Sequence, residues 1–264
     1  YPPLDLSGMD PARCEPFQAR DRYLQARCPE TLVRTYAMHW PNYQRETARS
    51  IRRTPFYHRL REQGACFTET QGWERPGWYA PEGITPQYDY SFGRQNWFEY
   101  ALDEQRAARE RVAIVDYSML GKISVEGVGA EAFLQRVCTN NMAMACGRIA
   151  YTLLLNERGG IESDVTVARY ADDHFMVMSS IARTRRDYLW LAALIEPEEQ
   201  VKLRDETASL GVLGVMGPQS RALMTAVTDL DVTNEAFPFN RFYECHIGHA
   251  NVTAQRLSYS GELG

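Results

Sequence analysis

The run Gly147-Arg148-Ile149-Ala150-Tyr151-Thr152-Leu153-Leu154-Leu155-Asn156-Glu157-Arg158-Gly159-Gly160-Ile161-Glu162-Ser163-Asp164-Val165-Thr166-Val167 constrains the fold more than any other part of the chain. Two apolar segments flank a glycine pair, the pattern of two antiparallel strands joined by a tight turn. In the second segment apolar residues alternate with polar ones, so one face is buried and the other open. Asp164 then sits at a strand entrance beside the turn, where a ligand can reach it. From the residues alone, Asp164 either caps the hairpin or works as an acid. Glu162 is expected on the opposite face.

The neighbouring segments extend this pattern. Glu99 to Arg111 reads as an amphipathic helix, with Leu102 and alanines on its inner side. Lys122–Glu126 alternates as a strand, and Gly127-Val128-Gly129 turns into a helix over Ala130–Val137. Phe175–Ser179 reads as a strand and Thr184–Leu194 as a helix. Leu210–Met216 is a strand, and Gly217-Pro218-Gln219-Ser220 opens a helix running to Val227. Asn251–Ser258 is the last strand. Strands and helices do not alternate regularly, which favours an antiparallel α+β arrangement over a doubly wound sheet. No internal repeat is visible.

The first hundred residues are different in kind. They hold ten of the thirteen prolines and four of the five tryptophans. Asp10-Pro11 predicts a capped helix start, and Pro29-Glu30-Thr31 predicts a second short helix. From Trp40 to Asn96 the Pro, Gly and aromatic content predicts an irregular stretch held by buried rings. The expected division is 1–103 as a Pro/Trp-rich linker region and 104–264 as the folded α+β domain.

The net charge of −5 argues against a general nucleic-acid surface. Arg183-Thr184-Arg185-Arg186 reads as a solvated helix face. No apolar run reaches the roughly 18 residues needed to span a bilayer. Six cysteines without a C-x-x-C pair suit free thiols, and no metal site is expected. Cys138 and Cys146 read as buried thiols. The absence of an initiator Met and the ending in mid-pattern are read as signs of a piece of a longer protein.

Val115-Asp116-Tyr117-Ser118, Lys122-Ile123-Ser124-Val125-Glu126-Gly127, the hairpin above, Val215-Met216-Gly217-Pro218-Gln219-Ser220 and Arg256-Leu257-Ser258-Tyr259-Ser260-Gly261-Glu262-Leu263-Gly264 occur in this order. Together they resemble the folate-binding domain of the aminomethyltransferase family, the T-proteins of glycine cleavage. Asp5-Leu6-Ser7-Gly8-Met9-Asp10-Pro11-Ala12-Arg13 and the Trp73–Trp78 and Tyr90–Trp97 segments resemble the linker of dimethylglycine and sarcosine dehydrogenases. In those enzymes an FAD-dependent domain precedes the folate domain.

The resemblance implies transfer of a one-carbon unit from an oxidised N-methylated glycine to tetrahydrofolate, giving 5,10-methylenetetrahydrofolate. FAD would belong to a preceding domain, and the G-x-G-x-x-G fingerprint is absent here. An electron-transfer flavoprotein and oxygen are the acceptors left open. The compartment would be cytoplasm in a bacterium and mitochondrial matrix in a eukaryote. A plain T-protein and a regulatory subunit of the pyruvate dehydrogenase phosphatase type are the alternative relatives.

Residue by residue, the resemblance implies that Asp164 is the catalytic carboxylate, with Ser163 where T-proteins carry a second Asp. Tyr151 and Tyr259 match folate-contacting tyrosines, Ser180 a pterin-bonding asparagine, and Leu120 a methionine packed on the ligand. The family's pterin-binding glutamate would lie beyond Gly264, so weak folate binding is expected of these residues alone.

Overall fold

The computed structural model of the chain describes residues 9–258 and 262–264. The chain divides into two units, Tyr1–Ala107 and Ala108–Gly264.

In the first unit, the Asp10 side chain accepts from Ala12 N at 2.9 Å and opens a single 3-10 turn, Pro11–Arg13. Helix α1 (Asp21–Thr35) then runs unbroken through Pro29, where the sequence pattern predicts a new start. Proline removes one helical donor. The neighbouring Glu30 carboxylate accepts from Glu46 N at 2.9 Å and Thr47 N at 3.1 Å, tying the helix to the following loop.

The stretch expected to be irregular holds a three-stranded sheet. Strand β1 (Arg52–Arg53), helix α2 (Tyr57–Glu62), and strands β2 (Ala65–Thr70) and β3 (Trp73–Tyr79) assemble in the order β1-β3-β2. Pro76 masks β3 in the sequence because proline cannot donate to a ladder. It is accommodated at a bulge: Cys66 pairs with Trp78 and Phe67 with Pro76, leaving Gly77 as the extra residue. Helix α3 (Phe98–Glu110) follows, with Tyr100 stacked on the buried Trp78 at 5.6 Å.

The second unit begins with β4 (Ala113–Asp116), β5 (Gly121–Glu126) and α4 (Ala130–Val137). Strands β6 (Ile149–Leu155), β7 (Ile161–Ala171) and β8 (His174–Ser179) follow, then α5 (Thr184–Ala193), β9 (Lys202–Asp205), β10 (Leu213–Met216), α6 (Ser220–Val227), β11 (Phe242–Ile247) and β12 (Ala250–Gln255). Five strands form an antiparallel sheet in the order β6-β7-β8-β5-β9. Pairs β4–β10 and β11–β12 are separate antiparallel ribbons. The unit is the antiparallel α+β arrangement read from the sequence, while β4, β9 and β11 are additional.

Ile123, Val125, Val167, Phe175 and Val177 face Phe133 and Leu134 of α4 and Leu191 of α5 in one buried cluster. Each such side chain contributes roughly 1.5–3 kcal/mol on burial. The helices cover one face of the sheet, and the other face carries the residues of interest.

The unit also contains a structural repeat that the sequence hides. Gly127 (φ 123°) and Gly217 (φ 121°) each end a strand three residues before an eight-residue helix, α4 or α6. Each helix is followed by an isolated antiparallel bridge to a hairpin, Cys138 to Leu154 and Thr228 to Ile247. The hairpins are β6–β7 and β11–β12. The same sequence offset that separates Leu154 from Ile247 separates Arg148 from Arg241, and these two arginines pair across a third bridge. Few side chains repeat, which is why the duplication shows only in the backbone.

Candidate functional site

The β6–β7 turn is built by Asn156, whose side chain accepts from Arg158 N at 3.0 Å and Gly160 N at 2.9 Å. Gly159 supplies the left-handed residue (φ 75°). Leu154 pairs with Ser163 but Leu155 with Ile161, so Glu162 is the extra residue of a bulge.

That bulge decides where the acids point. Glu162 and Asp164 lie two apart and would share a face in a regular strand, so the opposite face expected for Glu162 comes from the bulge and not from strand alternation. The extra residue turns Glu162 towards α5 instead. Its carboxylate bonds Arg186, its carbonyl accepts from Arg183 and Arg186, and Asn156 Nδ2 donates to it at 2.8 Å. The Arg186 guanidinium and the Asn156 amide hold the Glu162 carboxyl below the usual range. The arginines expected on a solvated helix face are therefore in part structural, since Arg183 and Arg186 clamp the bulge.

Asp164 emerges exposed on the opposite face. Tyr151 OH donates to its Oδ2 at 3.2 Å. Tyr151 is 55% exposed, so it is a surface ring and not a core tyrosine. Thr166 pairs with Tyr151 and with Met178, and Met178 pairs with Lys122, giving one rung across four strands. The next rung begins with Leu153 opposite Asp164. Leu120 and Ser180 come immediately outside the last β5–β8 pair, Gly121 opposite Ser179, in the turns at that end of the two strands. Asp164 and Tyr151 are thus joined on one sheet face, and Ser180 and Leu120 lie in turns adjoining the strands of the same sheet. Tyr259 lies outside the described residues.

Beneath this rung is a group the sequence reading missed. Asp187 of α5 is 1% exposed and accepts from Ser163 Oγ at 2.8 Å and from Ser179 Oγ. Burial raises its pKa against those two hydrogen bonds. One carboxylate therefore ties down the residues immediately before Asp164 and Ser180. The signal was a lone acid directly after an arginine run. Lys122 was missed as well. It is 3% exposed, and its Nζ donates to Ser118 O and Leu120 O, both at 2.8 Å, fixing the turn that carries Leu120.

The thiols differ from expectation at one position. Cys138 is buried, with its pKa pushed up to about 12 by desolvation, but Cys146 is exposed. Among the described residues no group of three His, Cys, Asp or Glu side chains could hold a metal ion.

Planar apolar ligands suit the open rung. It offers an aromatic ring, Leu153, Met178 and Leu120 for packing, and one fixed carboxylate for a nitrogen. A dinucleotide does not fit the strand-to-helix turn Gly127-Val128-Gly129. A side chain at Gly127 would collide with the Gln200 carbonyl, so the glycine's space holds backbone and not pyrophosphate. These residues therefore form no flavin site at that turn.

Residues 56–264 match the family model of the GCVT N-terminal domain, and residues 1–54 match that of the FAD dependent oxidoreductase central domain. The chain is 40% identical over its whole length to a 4-methylaminobutanoate oxidase (formaldehyde-forming) from Paenarthrobacter nicotinovorans, covering 32% of that protein. It is 30% identical to the mitochondrial sarcosine dehydrogenase of Homo sapiens, covering all of this chain and 33% of that one. It spans about a third of the length of these curated relatives. The crystal structure of the glycine cleavage system aminomethyltransferase T from Bartonella henselae superposes with a TM-score of 0.61 at 23% identity, over 81% of this chain and 52% of that one. The fold is shared, and with the family match over most of its length the chain belongs to the GCVT N-terminal domain family.

Proposed function

We propose that the open rung of the β6–β7–β8–β5 face is the folate side of a one-carbon transfer site. The parent protein would oxidise an N-methylated amino acid, and the site would capture the released methylene unit on tetrahydrofolate. The supporting observation is the exposed Asp164 carboxylate, held at one oxygen by Tyr151 OH and flanked by Leu153. The names of the relatives support the amine class, since sarcosine and 4-methylaminobutanoate are both N-methylated amino acids.

In this reading a folate nitrogen attacks the electrophilic methylene carbon of the iminium. A C–N bond forms, and positive charge develops on the attacking nitrogen. The free oxygen of Asp164 stabilises that charge. The proton of the attacking nitrogen passes to the amine, which leaves protonated as the second folate nitrogen displaces it, and Asp164 accepts the proton of that second nitrogen. Tyr151 keeps the carboxylate oriented and offers its ring to the pterin. Leu120 and Leu153 pack against the ring, and Ser180 bonds its edge.

The test supplies the intact protein with an N-methylated amino acid, with and without tetrahydrofolate. Formaldehyde and methylenetetrahydrofolate are both quantified. Folate is expected to divert carbon from formaldehyde, and Asp164→Ala to cut the folate product by about 100-fold while formaldehyde persists. An unaltered folate product in Asp164→Ala would sink the role of this residue. No diversion in the wild type would sink the reading itself.

A further inference from the structure

A second feature of the same unit lies beside this rung. A cleft of about 600 Å³ is lined by Asn140, Asn141, Arg148, Tyr151, Asn240 and Arg241, among others. Tyr151 forms its rim, so the cleft and the Asp164 carboxylate meet at one tyrosine.

Arg148 and Arg241 stand directly opposite each other across an isolated antiparallel bridge. Ile149 N donates to Asn240 O and Phe242 N to Gly147 O, both at 3.0 Å, bracketing the arginines as a non-hydrogen-bonded pair. That is the pairing in which opposite side chains come closest. Like charges in such a pair are destabilising. Each arginine follows a left-handed residue, Gly147 (φ 78°) or Asn240 (φ 60°), glycine and asparagine being the residues that adopt this region most readily. The two halves of the repeat thus each deliver an equivalent arginine to the line between them.

Nothing among the described residues neutralises the pair. Neither arginine forms an ion pair there, and Arg241 Nη1 makes only a 3.4 Å bond to Cys146 O. Asp172, which accepts from the nearby Cys146 thiol, is ion-paired with Arg169 at 3.2 Å. Asn141 spends its carbonyl on Ala143 N at 2.9 Å, leaving its NH2 as a further donor. The cleft therefore presents donors and positive charge, with repulsion that an anion would relieve. Planar guanidinium groups match a carboxylate in two-point fashion.

We propose that this cleft is a carboxylate-binding site, in which Arg148 and Arg241, assisted by Asn141, hold the carboxylate of a ligand whose reacting end lies at Asp164. This rests on the folate-side reading of Asp164. The carboxylate has two sources in that reading: the glutamyl tail of the folate, or the acid group of the N-methylated amino acid.

The test compares the intact wild-type protein with Arg148→Gln/Arg241→Gln. Calorimetry gives affinities for tetrahydrofolate and for tetrahydropteroate, which has the same ring system without the glutamate. Steady-state kinetics gives KM for the N-methylated amino acid. If the tail occupies the cleft, the wild type binds tetrahydropteroate on the order of tenfold more weakly than tetrahydrofolate. The double variant then closes that gap to within about twofold, with tetrahydropteroate affinity retained. If the amino acid occupies it, KM rises on the order of tenfold and the folate gap stays. Either outcome carries the proposal and identifies the source.

Equal weakening of both folates, or no change in the folate gap or in KM, would overturn it. A wild type that binds neither folate, with KM still responding to the arginines, would remove the folate-side reading and leave the carboxylate site standing. Relief of the like-charge pair should keep the melting temperature of the variant at or above that of the wild type. Arg148→Lys/Arg241→Lys retains charge without the fork, gives an intermediate gap, and serves if the glutamine pair fails to fold.

Discussion

Lys122 sets the pH response of the site's floor. Burial pushes its pKa down from 10.5 to about 8, against the pull of Asp205 and Asp116. Between these values the unfolded chain holds more protons than the folded one, so this residue makes stability rise with pH across that window. Below about pH 8 both states are charged, and the contribution is flat. Denaturant midpoints measured from about pH 7.5 to 10 should climb more steeply for the wild type than for Lys122→Met. Parallel curves would show that the buried ammonium is not what titrates. At this scale the sequence singled out Asp164 and Tyr151 as candidates, because they lie on a strongly patterned hairpin. It concealed Asp187 and Lys122, because their partners come from a strand or a turn that only folding brings near.

Elements were legible in proportion to how locally their signal is written. Helices α4 and α5 and the β6–β7 hairpin announce themselves by periodicity and turn residues. Strand β9 (Lys-Leu-Arg-Asp) carries too few apolar residues to be seen, and β3 hides behind Pro76 and its bulge. The glycine turns offer a direct check on which connections are sterically obligatory. Gly127 combines φ 123° with a collision of any side chain against Gln200, whereas Gly159, at φ 75°, has open space. Alanine at Gly159 should cost about 1 kcal/mol. Alanine at Gly127 should cost about 3 kcal/mol or more, since strain and steric overlap add. Chemical unfolding of the two variants measures both, and equal losses would contradict the tight approach of Gln200.

At the scale of the molecule, the antiparallel α+β class was readable from the irregular order of strands and helices. The duplication within Ala108–Gly264 was not, since its two copies share glycine and arginine positions but little else. The family match starts at residue 56, inside the first unit, so the segment carrying the family signature and the compact unit of the fold have different limits.

The aromatic distribution gives the molecule an optical asymmetry. Trp40, Trp73, Trp78 and Trp97 all belong to Tyr1–Ala107, and Trp190 alone to Ala108–Gly264. Trp190 packs against the large cluster of the second unit, while Trp78 is 1% exposed on the Tyr100 ring. Trp190→Phe should silence indole emission from the unit that carries Asp164 and leave the other emitting. In that variant a denaturation curve followed by fluorescence records the first unit alone, and one followed by circular dichroism records both. Separate midpoints would mean that the units melt independently. Superimposed curves would mean that the two hydrophobic cores fail as one cooperative body.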